Sequence, residues 1–253
     1  MKIVAIGGGE IGRPKKEGGR YAIETRAIDE EIIKLTGKKN PKALLLPTAS
    51  GDSQGYYSTF ERYYGKMLGC KTDVLYLIRE KPSKAEIKRK IMDSDIIYVG
   101  GGNTLRMLKT WRRLGVDKVL EEAGNKGIVL SGLSAGDICW FDYGNSDSMK
   151  FGPNKKFKMI MLKGLGFIHL MSCPHYNVEK DRESSLKKMV GKYGGTSIAL
   201  DNCAALEVVD NNYRILTSSR NARAYRVYRT NGKVIQEPLE ITKEFKSLAS
   251  IVN

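Results

Sequence analysis

The sequence predicts an α/β fold, a three-layer sandwich whose mostly parallel central sheet is flanked by helices, with antiparallel hairpins toward the C-terminus. Three observations predict it. Short apolar runs alternate with helical-period segments from residue 2 to about residue 140, and that alternation builds a parallel sheet covered on both faces. Several of the runs end in glycine-rich turns, at Gly7-Gly8-Gly9, Gly100-Gly101-Gly102 and Gly132-Leu133-Ser134-Ala135-Gly136. Two hairpin signals then close the chain, Asp210-Asn211-Asn212 and Asn231-Gly232. With 253 residues, the simplest organisation is one domain over 1–253, the hairpins of about 204–236 extending one edge of the sheet.

Lys2 to Ile6 reads as a buried first strand. Gly7, Gly9 and Gly12 behind it match GxGxxG, but a dinucleotide fingerprint needs a helix opening inside the glycines and an acidic residue closing the second strand. Here residues 13–19 intervene, and Asp29 and Glu30 fall within a helix expected from about Tyr21 to Leu35. The pattern reads as a loop, and no cofactor is expected. Lys42–Pro47 is the second strand. Tyr56, Tyr57, Phe60, Tyr63, Tyr64 and Met67 then recur at helical spacing, as a buried stripe does. Thr72–Ile78, a basic helix over Ser83–Met92 and a strand over Asp95–Val99 follow. Leu105, Leu108 and Trp111 mark the next helix, which Asn103 or Thr104 can cap.

The apolar run Ile128–Leu130 drives into Gly132-Leu133-Ser134-Ala135-Gly136, which has the GxSxG form of a nucleophile elbow. Such a turn exposes the serine at the end of a strand, with a helix starting at about Ala135 whose first N–H groups face a developing oxyanion. Ser134 is therefore the candidate nucleophile. Gly102, one strand away, and Ala135 are the candidate oxyanion donors. A loop-rich stretch, Tyr143 to Lys163, follows the elbow and precedes a strand over Gly164–Cys173. The chain has two histidines. His169 lies within that strand among apolar neighbours, whereas His175 stands just past its end after Pro174, where a base for Ser134 belongs. A helix over Val178–Val190 carries Arg182, a candidate guanidinium for a substrate carboxylate. Asn103 and Tyr176 are further candidate substrate contacts.

Composition excludes several classes. The four cysteines, Cys70, Cys139, Cys173 and Cys203, show no CxxC pair, so neither a zinc site nor a disulfide framework is expected, and a cytoplasmic setting fits. No apolar run approaches bilayer length, and no secretory segment is recognisable at the N-terminus. The 43 basic and 28 acidic residues give a net charge of +15. That excess favours an acidic partner through long-range attraction, but the lysines and arginines are dispersed without a nucleic-acid fingerprint. The expected partner is a small acidic peptide rather than nucleic acid or membrane.

Taken together, the early Gly-Gly-Gly-Glu loop, Val99-Gly-Gly-Gly-Asn-Thr104, Leu133-Ser-Ala-Gly136 and Pro174-His-Tyr176 followed by Arg182 resemble the aspartyl dipeptidase (peptidase E) and cyanophycinase family of serine peptidases. The resemblance spans about residues 1–217. It implies a fold like that of class I glutamine amidotransferases, no metal or organic cofactor, a monomer or homodimer, and hydrolysis of peptide or isopeptide bonds next to an aspartyl residue. It assigns Ser134 as nucleophile, His175 as base, Gly102 and Ala135 to the oxyanion hole, and Arg182 to the aspartyl carboxylate. For the third triad member it points to Asp147, with Asp201 as the alternative in the Leu200-Asp201-Asn202 turn, where Asn202 replaces a frequently acidic position. Asp137, beside the nucleophile, stands where a small neutral residue is commoner. A non-catalytic binding protein of this fold and an amidase with a non-peptide substrate are the other readings open to the sequence.

Overall fold

In the computed structural model, which describes residues 1–151, 158–179 and 181–252, the strands form two sheets flanked by helices. The parallel part of the first consists of β1 (Lys2–Ile6), β2 (Lys42–Leu46), β3 (Lys71–Val74), β4 (Ile96–Val99) and β5 (Val129–Leu133). These are connected by α1 (Arg26–Leu35), α2 (Gln54–Phe60), α3 (Lys84–Met92), α4 (Thr104–Leu114) and α5 (Val116–Asn125). Period-two alternation sorts the strand residues onto two covered faces. Ile3, Ala5, Leu44, Leu46, Ile97 and Val99 pack with α3, α4, α5 and the second sheet. Val4, Ile6, Leu45, Ile96 and Tyr98 pack with α1 and α2.

After β5 the short helix α6 (Ala135–Ile138) leads into the second sheet, which holds β6 (Phe141–Ser146), β7 (Ile160–Lys163), β8 (Ile168–Cys173) and, beyond α7 (Arg182–Tyr193), β9 (Thr196–Leu200). The chain then returns to the first sheet, where β10 (Ala204–Val209) lies antiparallel to β1 and β11 (Asn212–Thr217) antiparallel to β10. The next hairpin, β12 (Ala224–Thr230) and β13 (Lys233–Pro238), joins the second sheet at β9. The short β14 (Lys246–Ser247) pairs with β11, and α8 (Ala249–Val252) ends the described chain. The strand orders are β14-β11-β10-β1-β5-β4-β2-β3 and β13-β12-β9-β8-β6-β7.

The two C-terminal hairpins thus extend different sheets, where the sequence suggested one shared edge. Hairpin signals set the local turn but not the strand against which the hairpin docks. The stretch expected to be loop-rich contains most of β6 and all of β7. Phe-Asp-Tyr-Gly-Asn-Ser is poor in strand formers, and β6 is held by β8 and β7 on its two sides. The first helix starts at Arg26 rather than near Tyr21, because residues 7–25 fold back on themselves through bridges Ile11–Ile23 and Pro14–Arg20. The aromatic helix α2 continues as a π-helical turn over Glu61–Met67. Consecutive hydroxyls of Tyr63 and Tyr64 from that turn donate to the fully buried Asp29, at 2.9 and 2.6 Å. Burial pushes the Asp29 carboxyl up to about 6. All four cysteines are buried and unpaired. Among the described residues no helix is long and apolar enough to cross a membrane.

Candidate active site

Ser134 sits between the end of β5 and the start of α6, with φ 59° and ψ −102°. A side-chain-bearing residue rarely occupies that region, and the sharp turn holds it there. Two neighbours make the turn possible. A methyl group added at Gly132 or Gly136 would strike the Val99 carbonyl of β4, so only glycine lets the elbow lie against that strand. The Ser134 N–H donates to the Ile6 carbonyl at 3.0 Å, fixing this serine to the end of β1.

His175 follows β8 and also has positive φ, 56°. Its N–H donates to the Gly7 carbonyl at 3.0 Å. Its Nε2 lies 2.8 Å from Ser134 Oγ, and its Nδ1 lies 2.7 Å from Asn202 Oδ1. An amide oxygen only accepts, so Nδ1 carries the proton and Nε2 is left to accept the Ser134 hydroxyl proton. Burial depresses the His175 pKa, the Asn202 hydrogen bond opposes that, and the positive field of Arg182 adds to the depression. The ring is therefore neutral at neutral pH, the state a general base needs.

The acids expected in the third position lie elsewhere. Asp147 pairs with Lys150 and lies 3.7 Å from the Arg182 guanidinium. Asp201 turns its Oδ2 to the Arg223 N–H at 2.9 Å. The neighbouring residue reaches the imidazole instead, because the Asn202 N–H is tied to Asn177 Oδ1 at 2.9 Å and its side chain faces His175. Arg182 does not offer a free fork. It is 1% exposed, its Nε donates to Glu179 at 2.6 Å, and its terminal nitrogens engage the Asn145 carbonyl and Asp147. Tyr176 buries its ring among Met171, Leu186 and Tyr225 and donates its hydroxyl to Gln236 at 2.8 Å, so it belongs to the second sheet's core. Asn103 caps α4, its Oδ1 accepting the Arg106 N–H at 3.0 Å. His169 is exposed beside Asp142, at 3.3 Å.

Ala135 follows Ser134 at the start of α6; a Cβ built at Gly101 would lie 3.5 Å from Ser134 Cβ, whereas one built at Gly102 would meet the Ala49 carbonyl. The Gly101 N–H donates to the Tyr56 hydroxyl at 3.2 Å. Among the described residues, the N–H groups of Gly102 and Ala135 have no such acceptor. The early glycine loop, expected as a loop at the end of the first strand rather than a cofactor site, packs against His175 and Asn202. A methyl group on Gly8 would overlap both Asn202 Oδ1 and His175 Nδ1. A cleft of about 400 Å³ opens between that loop, α2, Gly101 and Leu133. Among the described residues, no cluster of three or more His, Cys, Asp or Glu is arranged for a metal ion.

Comparison with known proteins matches the chain's sequence to one family. The sequence model described as Peptidase family S51 matches residues 18–216. The chain is 36% identical over 242 residues to the uncharacterized peptidase YgaJ of Bacillus subtilis (strain 168), covering 95% of this chain and 97% of that one. It is 29% identical over 153 residues to the uncharacterized peptidase Lmo0363 of Listeria monocytogenes, covering 60% of this chain and 73% of that one. In fold it is similar to the crystal structure of a peptidase from an acI-B1 actinobacterium. The TM-score there is 0.71 at 18% identity, over 97% of this chain and 96% of the other. With a family match across most of its length, the chain belongs to peptidase family S51.

Proposed function

We propose that the protein is a serine peptidase in which Ser134 attacks a peptide carbonyl while His175 Nε2 removes the hydroxyl proton. The observation that carries this reading is the 2.8 Å contact between Ser134 Oγ and His175 Nε2, on a ring whose pKa burial depresses. Asn202 acts as the orienting residue. It fixes the tautomer as a carboxylate would, but contributes no negative charge to the imidazolium formed during attack. The N–H groups of Gly102 and Ala135 receive the oxyanion. The protonated His175 then gives its proton to the leaving amine and activates the water that releases the acyl group.

The aspartyl preference implied by the family resemblance depends on a cation for the substrate carboxylate. Arg182, the residue expected to supply it, is buried and paired with Glu179 and Asp147, so an aspartyl carboxylate has to displace both. Serine peptidase action is proposed here without that clamp.

The test is labelling by a fluorophosphonate together with hydrolysis of a small dipeptide panel. Wild type should be labelled at Ser134, and both labelling and turnover should fall by about a thousandfold or more in Ser134→Ala and His175→Ala. Turnover that survives Ser134→Ala would end the proposal. Labelling without any peptide turnover would move the reading to an amidase or another acyl hydrolase.

A further inference from the structure

One fully buried carboxyl beside the serine turn takes no part in the mechanism above. Asp137 is the third residue of α6, and its Oδ2 lies 2.5 Å from the Ser172 hydroxyl of β8. Both side chains are fully buried. At one end of this contact the Asp137 and Ile138 N–H groups donate to the Ser134 carbonyl at 3.1 Å, so the carboxyl and the serine belong to one rigid turn. At the other end Ser172 is paired with Gly144 of β6 and Ile198 of β9, and Cys173 and Pro174 are all that separate it from His175. The contact thus ties the helix behind the serine to the strand that delivers the imidazole.

We infer that Asp137 is a positioning residue: through Ser172 it holds α6 against β8 and so keeps Ser134 Oγ within hydrogen-bond distance of His175 Nε2. The inference rests on the serine peptidase reading and adds to it a residue that solvent does not reach.

Asp137 performs this role as the neutral acid. Among the described residues its Oδ1 has no hydrogen-bond partner, so an ionised carboxylate would keep a single hydroxyl donor for a full buried charge. Burial pushes the carboxyl up to about 8, against the Ser172 hydrogen bond and the positive field of Arg182 on α7. The nearby thiols of Cys139 and Cys173 are themselves raised by burial and stay protonated through that range. The other titratable groups on the elements packed against α6 are engaged elsewhere or exposed. Lys2 bonds the Leu35 carbonyl, Tyr98 packs toward α1 and α2, Asp142 faces His169, and the basic residues of α4 are at the surface. Above about pH 8 the carboxylate has to draw water into the seam, which loosens the tie and separates the serine from its base.

The experiment measures the rate at which an alkyl fluorophosphonate labels Ser134, from about pH 6 to about pH 9.5, in wild type, Asp137→Ala, Asp137→Asn and Ser172→Ala. Wild type should lose rate above about pH 8. Asp137→Ala and Ser172→Ala should label about ten- to a hundredfold more slowly at neutral pH, as for a misplaced nucleophile. Asp137→Asn, whose amide still bonds Ser172 but cannot ionise, should stay within about threefold of wild type and lack the alkaline decline. The inference is overturned by alanine variants that label at the wild-type rate, by an asparagine variant as slow as the alanine one, or by an alkaline decline that the asparagine variant retains. Circular dichroism checks folding, and should Asp137→Ala not fold, Ser172→Ala and the pH profile of Asp137→Asn decide. Each of these results leaves the serine reading standing, because wild type is labelled; no labelling of wild type overturns both.

Discussion

The candidate site draws Ser134 from one sheet and His175 from the other, and the two halves are built on different principles. Ser134 belongs to a segment short in sequence, since β5, the elbow glycines and α6 lie within residues 129–138, and that segment docks on Val99 of β4 and on the Ile6 carbonyl of β1. His175 and Asn202 rest on contacts from far away. They stand 27 residues apart after β8 and β9, and are brought to Ser134 by a seam through the glycine loop. There the His175 N–H meets the Gly7 carbonyl and the Cys203 N–H meets the Gly8 carbonyl at 2.9 Å. The serine half is thus one short motif docked within its own sheet, whereas the histidine half is a consequence of how two sheets are registered.

The largest effect should come from breaking the distant half while sparing the local one. Gly8→Ala places a methyl group where the His175–Asn202 hydrogen bond lies. We expect kcat to fall by about a hundred- to ten-thousandfold, as for a misoriented base, with circular dichroism and Tm showing a folded protein. Full activity in this variant would mean that the His175–Asn202 pair is not needed.

Asn202→Asp sharpens the comparison from the other side. In wild type the depressed His175 pKa places the acid limb of kcat/KM below the ordinary histidine value, since the base is lost only when the ring protonates. A carboxylate at 202 favours imidazolium and should raise that limb by about one to two pH units. A one-unit shift corresponds to about 1.4 kcal/mol, so kcat gains at most about tenfold per unit. A limb that stays in place would show that residue 202 does not face the ring during catalysis.

A smaller effect is expected across the seam itself. Asp137 of α6 is fully buried and accepts the Ser172 hydroxyl of β8 at 2.5 Å, with its other oxygen unpartnered. Burial pushes its carboxyl up to about 8. In the unfolded chain it ionises near 4. The folded state therefore holds a proton that the unfolded state has lost, and stability is full below about pH 4 and declines as pH rises toward 8. Asp137→Asn, which cannot ionise, should flatten that decline by an amount on the order of a few kcal/mol. Denaturant unfolding at pH 5 and pH 8 measures it; equal slopes in both proteins would refute the assignment.

This contrast also explains what the sequence disclosed. The parallel strands of the first sheet are apolar runs covered on both faces, and the elbow is a short motif whose glycines have a steric reason at Val99. Both were legible. β6, with Asp, Gly and Asn in its six residues, was not, because its partners on β7 and β8 supply the order. Ser134 and His175 were named from motif and chain position. Asn202 was passed over because carboxylates were sought, and the adjacent Asp201 drew attention though its side chain faces Arg223. The sequence points to Asp147 as the triad acid and to Arg182 for the substrate carboxylate, yet the two face each other, a pairing that no spacing rule reveals. The one signal that pointed to Asn202 was its place in the turn after Leu200.

The four cysteines carry a different consequence. Burial holds their thiols above the ordinary range, Cys70 up to about 11 and Cys173 up to about 12, with Cys139 and Cys203 also raised. At neutral pH they present little thiolate to solvent. Alkylating agents and mild oxidants therefore have no ready target near Ser134, and inhibition by such reagents would report unfolding rather than chemistry at the nucleophile.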